Sequence, residues 1–339
     1  MRAEGAWQDL PRERITAVES MHVEGDAGAA LDFSAYELGE RALAWIVEER
    51  ALRAALVPRV HAAGVTLLAP CALASLAFGA DRAMLTTDDG ATSSARLVVG
   101  ADGLRSWTRA AAGIVATPRP YGQTAVVANF ACERAHHGVA LQWFDPTEGV
   151  IALLPLPGDH VSLVWSAPRL LAEALMADPA TLAPRLAQRA QPYVGALIQV
   201  GPAASFPLRL ITVDRLVGAR LALVGDAAHV VHPLAGQGLN LGLADVSELL
   251  RVLAGREDWR DPGDAVLLRR YERSRAEPVG LMRLTTDALA RLFSRDDAVS
   301  RNVRNLGLAA VDALPPLKNA LIRHAAGPQG PAAITNSRG

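Results

Sequence analysis

Cysteine is nearly absent from this 339-residue chain: only Cys71 and Cys132 occur, in unrelated segments and without a C-x-x-C spacing. That leaves neither a disulfide framework nor a cysteine zinc site, and it fits a reducing compartment. A surplus of charge is also lacking, with 34 basic against 35 acidic residues and a formal net charge of -1. The arginines are scattered singly among acidic residues, so a nucleic-acid partner would find no basic stripe. No apolar run is long enough to span a bilayer; the best, residues 150–157, is strand-length and cut by prolines. The opening residues MRAEGAWQDLPRER are polar and charged, unlike a secretory signal. A cytoplasmic protein is expected, with membrane contact at most peripheral. There is no G-x-S-x-G, so a serine hydrolase has nothing to stand on, and no G-x-G-x-x-G turn occurs anywhere.

What is present suits a globular chain with room for two packed lobes, since half of its residues are apolar. From Tyr36 onward, apolar residues at helical spacing (Leu52, Ala55, Leu56, Val60) predict an amphipathic helix that closes at Gly64. Three extended runs, VTLLAP, ALASLAF and RAMLTT, follow, with Asp89-Gly90 as the turn before RLVVGADG. Between Tyr121 and Trp165, the runs TAVVANF, VALQWF, VIALLPL and HVSLVW predict a mostly antiparallel second sheet. Helices are expected at Leu170–Met176 and Leu182–Ala190, and a buried strand at Arg220–Val224. A further helix is expected over Leu239–Leu253, with Leu243, Val246, Leu250 and Leu253 on one face and Gly255 as its stop. From Ala265 the chain reads as helical apart from Pro278 and the break at Pro315-Pro316, and the tail GPQGPAAITNSRG reads as disordered.

The most informative string is LALVGDAAHVVHPLAGQGLNLGLAD, residues 221–245. A buried strand delivers Asp226 at its C-terminal end, where a short carboxylate can accept hydrogen bonds from a ribityl or ribose hydroxyl. Gly236 and Gly238 let bare backbone approach a ligand. Leu239 and Asn240 open a helix whose unpaired N–H groups favour negative charge, as the ring of a reduced flavin requires. An ordinary strand–loop–helix turn would account for Asp-Ala-Ala-His alone, but not for His-Pro, Gly-Gln-Gly and Asn in one register. Asp226, His229 and His232 fall at i, i+3 and i+6, a spacing open to a metal-ligand reading, yet Pro233 opposes a regular helix through His232. The pair His136-His137 reads as a solvated turn.

This string resembles the second FAD motif of the flavoprotein aromatic hydroxylases, in particular their ubiquinone-biosynthesis branch, the UbiH/UbiF group. ALAWIVEERALRAAL, LVVGADGLRSWTR and RNLGLAAVDALPPLKNALIRHAAG resemble other segments of the branch, so the likeness covers nearly the whole chain. The resemblance implies an α/β fold: an FAD-binding Rossmann-like lobe at about 1–115 plus 215–260, an inserted substrate-binding sheet lobe at 116–214, a C-terminal helical region at 261–326 and a tail at 327–339.

It implies FAD as cofactor, NAD(P)H as co-substrate, and ring hydroxylation of a polyprenylated phenol or quinone precursor with O2. It also points to other ubiquinone-biosynthesis proteins as partners and to the inner membrane as the place of any peripheral contact. Asp102 and Gly103 would lie beside the flavin pyrophosphate and the nicotinamide's approach path, with Ser106 and Arg109 fixing the turn and helix. Gly225, Asp226, Pro233, Gly236, Gln237, Gly238, Leu239 and Asn240 would contact the cofactor, His232 and Pro233 near the ring. Two residues depart from the branch: Glu49 stands where asparagine is common, and Thr108 where valine is usual. A glycine-rich βαβ unit of about fifty residues would precede Met1 in this family. A chain lacking it is expected to hold FAD weakly and to purify nearly colourless, or to serve as a non-catalytic, FAD-free partner in a biosynthetic complex.

Overall fold

The computed structural model describes residues 7–25, 30–232, 236 and 238–293. The chain starts with β1 (Ile15–Val18), β2 (Ser20–Glu24), β3 (Ala30–Ser34), β4 (Ala44–Val47) and α1 (Glu49–Ala62). Next come β5 (Leu73–Phe78), β6 (Ala83–Thr87), β7 (Thr92–Ala95), β8 (Val98–Gly100) and the short α2 (Trp107–Ala111). The middle is β9 (Ala116–Cys132), β10 (Val139–Asp145), β11 (Gly149–Leu156), β12 (His160–Pro168), α3 (Arg169–Ala177), α4 (Leu182–Val194) and β13 (Leu197–Val213). Last come β14 (Val217–Gly218), β15 (Leu221–Leu223), α5 (Gly238–Ala254) and α6 (Ala265–Phe293). Among the described residues two compact units separate, one holding the chain up to Val65 with Gly122–Pro207, the other Thr66–Tyr121 with Leu208–Arg291.

In the first unit the four strand runs of the middle are antiparallel to one another, as expected, within a sheet of order β13-β9-β12-β11-β10-β2-β3, where β9 pairs with β12. Alternation along β12 turns Val161, Leu163 and Trp165 inward. α3 and α4 bring Leu175, Leu182 and Leu186 into the same core, each such side chain contributing about 1.5–3 kcal/mol on burial. The N-terminal segment departs from the expected lobe limits, which put residues 1–115 together. β2 lies parallel to β10 with Ser20 opposite Val139 and Glu24 opposite Trp143, and β3 pairs beyond it. Backbone pairing to an open sheet edge outweighed any grouping by sequence neighbourhood.

The helix predicted from the Tyr36 segment is shorter than its apolar spacing suggests. Ala44–Val47 is a strand paired with Ile15–Val18. Ala51 and Ala55 are buried beside Leu10 while Leu56 is exposed. Gly64 does end this segment, with φ at +70°.

In the second unit β5, β6 and β7 form an antiparallel sheet, and the turn before β7 uses Gly90 at φ +85°. The run VTLLAP is no strand: it pairs with no described strand, and Val65, Leu67 and Leu68 stay exposed. β15 lies between β14 and β8, and α5 covers it with a face other than the predicted one. Leu241, Asp245, Leu249 and Val252 are buried, whereas Val246 and Leu250 are about half exposed. The reason is α6, whose Leu267, Leu268 and Tyr271 pack against Leu249 and Val252. α6 runs through Pro278 rather than breaking there, at the loss of one helical N–H. The predicted break at Pro315-Pro316, most of the region 261–326 beyond α6, and the tail 327–339 lie outside the described residues.

Candidate functional site

β8 and β15 are parallel neighbours, with Leu221 opposite Val98 and Leu223 opposite Gly100. The Val224 N–H donates to the Gly100 carbonyl at 3.0 Å. The loops that begin at Ala101 and Gly225 therefore leave the carboxyl ends of adjacent strands, where open α/β sheets take their ligands. Gly100 is required by packing: a Cβ there would sit 2.7 Å from Leu223 Cδ2 and 3.1 Å from Thr108 Cγ2.

The first loop is held by its own acidic residue. Asp102 accepts from the Ser106 hydroxyl with one carboxylate oxygen, and from the Thr108 N–H at 2.8 Å and hydroxyl at 2.9 Å with the other. Burial disfavours its charged form, but these hydrogen bonds prevail and hold the carboxyl below its ordinary range. Thr108, the departure from the branch's valine, thus has a use for its hydroxyl. Ser106 caps α2 by accepting from the Arg109 N–H at 2.9 Å. Arg109 is buried and donates to the carbonyls of Leu104 at 3.0 Å and Ala227 at 2.9 Å, so it ties the first loop to the second. Gly103 follows Asp102 with φ at +78°. Glu49, the other departure, is exposed at the start of α1, where it pairs with Arg53.

In the second loop Gly225 has φ at +60°, and a Cβ on Gly242 of α5 would come within 3.1 Å of its Cα. Asp226 is exposed, and its carboxylate has no hydrogen-bond partner among the described residues. The first turn of α5, Gly238-Leu239-Asn240, is exposed as well, so N–H groups that a helix cannot satisfy internally face outward. Gly236 has φ at +60°. Gly238 needs glycine for neither conformation nor packing, since a Cβ there meets no described atom within 4 Å. Pro233 and Gln237 lie outside the described residues.

The residues of the i, i+3, i+6 spacing do not converge on one point. Asp226 faces outward, His229 bonds Asp245 at 2.7 Å, and His232 is buried edge-on to Tyr121 with ring centroids 4.6 Å apart. Burial pushes His232 down to about 4, against the opposing pull of the Asp287 carboxylate. Its imidazole is neutral at ordinary pH. His136, in its turn, accepts from the Gly138 N–H and bonds the carbonyls of Leu156 and Gly158.

Sequence reasoning missed Asp245 and Arg275. Asp245 is fully buried and accepts from the Gly225 N–H, His229 and Arg275. The available signal was a carboxylate in the middle of an apolar helix stripe, which needs buried partners.

These features fit FAD: an unpartnered carboxylate suited to a hydroxyl, an exposed helix N-terminus suited to negative charge, and glycine where only an outside group would ask for it. Residues 78–282 match the FAD binding domain family. The ubiquinone hydroxylase UbiL of Rhodospirillum rubrum is 42% identical over 326 residues, covering 95% of this chain and 76% of the relative. The 3-demethoxyubiquinol 3-hydroxylase of Escherichia coli is 32% identical and covers 95% and 83%. Among solved structures, PqsL of Pseudomonas aeruginosa, in complex with 2-aminobenzoylacetate, has a TM-score of 0.74 at 26% identity, over 91% of this chain and 85% of that one. The p-nitrophenol 4-monooxygenase PnpA of Pseudomonas putida shares the fold, with a TM-score of 0.75 at 16% identity over 95% and 85%. The motif loops and these likenesses converge: the chain belongs to the FAD-dependent monooxygenases of the ubiquinone-biosynthesis, UbiH/UbiF-like branch, and it is an oxidoreductase.

Proposed function

We propose that the protein hydroxylates the aromatic ring of a polyprenylated phenol or quinone precursor of ubiquinone, taking electrons from NAD(P)H and oxygen from O2. The observation that carries this reading is the tie between the two loops at the ends of β8 and β15, made by Arg109 on Ala227, in a chain 42% identical to a ubiquinone hydroxylase.

Bound FAD supplies the redox and oxygen chemistry that amino-acid side chains lack. The chain's own residues bind, orient and keep water away. Asp226 accepts a ribityl hydroxyl, while Gly225, Gly236 and Gly238 let the backbone come close. The N–H groups at Leu239 and Asn240 favour negative charge on the cofactor, and Pro233 and Gln237 are proposed as further contacts. Gly103 and the backbone at Asp102 flank the pyrophosphate and the path of the nicotinamide. The Asp102 side chain acts mainly inside the loop, because its oxygens already serve Ser106 and Thr108. His232, neutral and packed on Tyr121, offers shape near the ring without adding charge. The unit made of Gly122–Pro207 and the chain up to Val65 is the proposed substrate lobe, and no acid/base pair of the hydrolase kind is required. Other ubiquinone-biosynthesis proteins, and the inner-membrane surface that holds the prenylated precursor, are the proposed partners.

The test supplies the purified protein with FAD, NADH or NADPH, isotopically labelled O2 and a prenylated phenol in detergent, and follows the product by mass spectrometry. Ring product carrying one labelled oxygen, dependent on both flavin and pyridine nucleotide, is expected. Pyridine-nucleotide oxidation that yields only hydrogen peroxide with every prenylated phenol offered would overturn the substrate class.

A further inference from the structure

We propose that the buried chain of contacts Arg275–Asp245–His229 is a positioning assembly for the cofactor turn, through which α6 sets how tightly the flavin is held. The inference rests on the reading of Asp226 as the acceptor for a cofactor hydroxyl.

Asp245 is fully buried, and its two carboxylate oxygens have distinct duties. One accepts from the Gly225 N–H at 2.9 Å and from His229 Nε2 at 2.7 Å, so a single oxygen grips both ends of the turn that carries Asp226. The turn closes on itself as well, with the N–H groups of Ala228 and His229 bonded to the Gly225 carbonyl. The other Asp245 oxygen accepts from Arg275 Nε at 2.7 Å, which stops the carboxylate from rotating away. Arg275 is itself buried in α6, and α6 is fastened to the end of β15 by the Tyr271 hydroxyl on the Leu223 carbonyl at 2.8 Å. Asp226 has no partner among the described residues to aim it, so its direction is that of the turn.

Stability alone is a poor account of this arrangement. A buried ion pair costs so much desolvation that well-packed apolar residues of similar volume often serve as well or better. What an apolar pair cannot do is accept a backbone N–H in one orientation and hold a glycine turn there. Arg275 is therefore a positioning residue that acts on Asp226 through Asp245.

The test measures FAD dissociation constants by flavin-fluorescence titration, well below the melting temperature, for Arg275→Met, Asp226→Asn and the double variant, with visible circular dichroism of the bound flavin. Leu268→Ala, a core truncation in α6, serves as a control that lowers stability without touching Asp245. Arg275→Met should weaken FAD by about tenfold or more, the scale of one charge-assisted hydrogen bond, and alter the flavin's dichroism. In the Asp226→Asn background it should have little further effect, and Leu268→Ala should lower the melting temperature while leaving the dissociation constant in place. If Arg275→Met fails to fold, Arg275→Lys keeps the charge without the Nε geometry and is read in the same way. Additive losses in the double variant, or an Arg275 variant that behaves like Leu268→Ala, would overturn the positioning role alone. Unchanged FAD affinity in Asp226→Asn would overturn the reading of Asp226, and the inference with it.

Discussion

Arg109 and Ala227, 118 positions apart, are joined by a 2.9 Å hydrogen bond from the guanidinium Nη1 to the backbone carbonyl. A buried guanidinium is costly unless its donors are used. Here they serve the carbonyls of both motif loops, Leu104 in the first and Ala227 in the second. The second loop is thus held on one side by α2 and on the other by Asp245 of α5.

Arg109→Met should therefore cost more than a surface arginine would. Two carbonyls lose a charged donor, worth about 1.5–3 kcal/mol for a hydrogen bond to a charged group. A fall of that size in unfolding free energy, together with reduced flavin per chain, is the expected result. Denaturant titration and the visible spectrum read the two effects, and a stability within error of the parent would refute the assignment.

Asp226→Ala should abolish flavin retention, while His160→Ala should leave it unchanged. Asp226 offers an unpartnered carboxylate at the end of β15, whereas His160 opens β12 opposite Ala131 in the first unit. Bound flavin per chain after gel filtration distinguishes them. Equal retention in the two variants would count against the site.

Gly100→Ala should destabilise the protein by about 1–3 kcal/mol, the usual cost of overpacking. The new methyl group meets Leu223, which is fully buried and has little room to yield. Leu223→Val in the same chain should recover part of the loss. Equal stabilities for Gly100→Ala and the parent would show that the strand pair relaxes more easily than its packing indicates.

His232 predicts an acid-sensitive term in stability. Its value in the folded protein, about 4, lies below the ordinary 6.5, so the unfolded chain binds the extra proton more readily. The contribution is present in full above about pH 6.5 and is lost as pH falls toward 4, with an upper limit of about 3 kcal/mol. Unfolding free energy measured across that window should fall less steeply for His232→Gln than for the parent. Parallel curves would contradict a buried neutral imidazole.

Much of the architecture was legible because it is written in local periods. The alternation around Val161, Leu163 and Trp165 marks β12, and Gly64 and Gly90 mark stops that need a left-handed residue. The failures share a cause. Ala44–Val47 is too short an apolar run to be told from a helix by period, and it became a strand because Ile15–Val18 pairs with it. The α5 sequence carries two apolar stripes at helical spacing. α6 selected the one containing Asp245, an acidic residue that reads as a solvent position until Arg275 and His229 are known.

The site divides along the same line. Sequence alone pointed to the residues proposed to contact a ligand at the strand ends: a short carboxylate at Asp226, glycines that would let backbone come close, and the opening turn of α5 at Leu239 and Asn240. These depend on residue type and near neighbours, which a string displays. Only the tertiary structure decided what holds them in place. Arg109 reaches Ala227 and Arg275 reaches Asp245 across separations of 118 and 30 residues. It also decided that Asp102 spends its oxygens inside its own loop. A buried charge finds its partner by where the backbone brings it, and no spacing along the chain encodes that meeting.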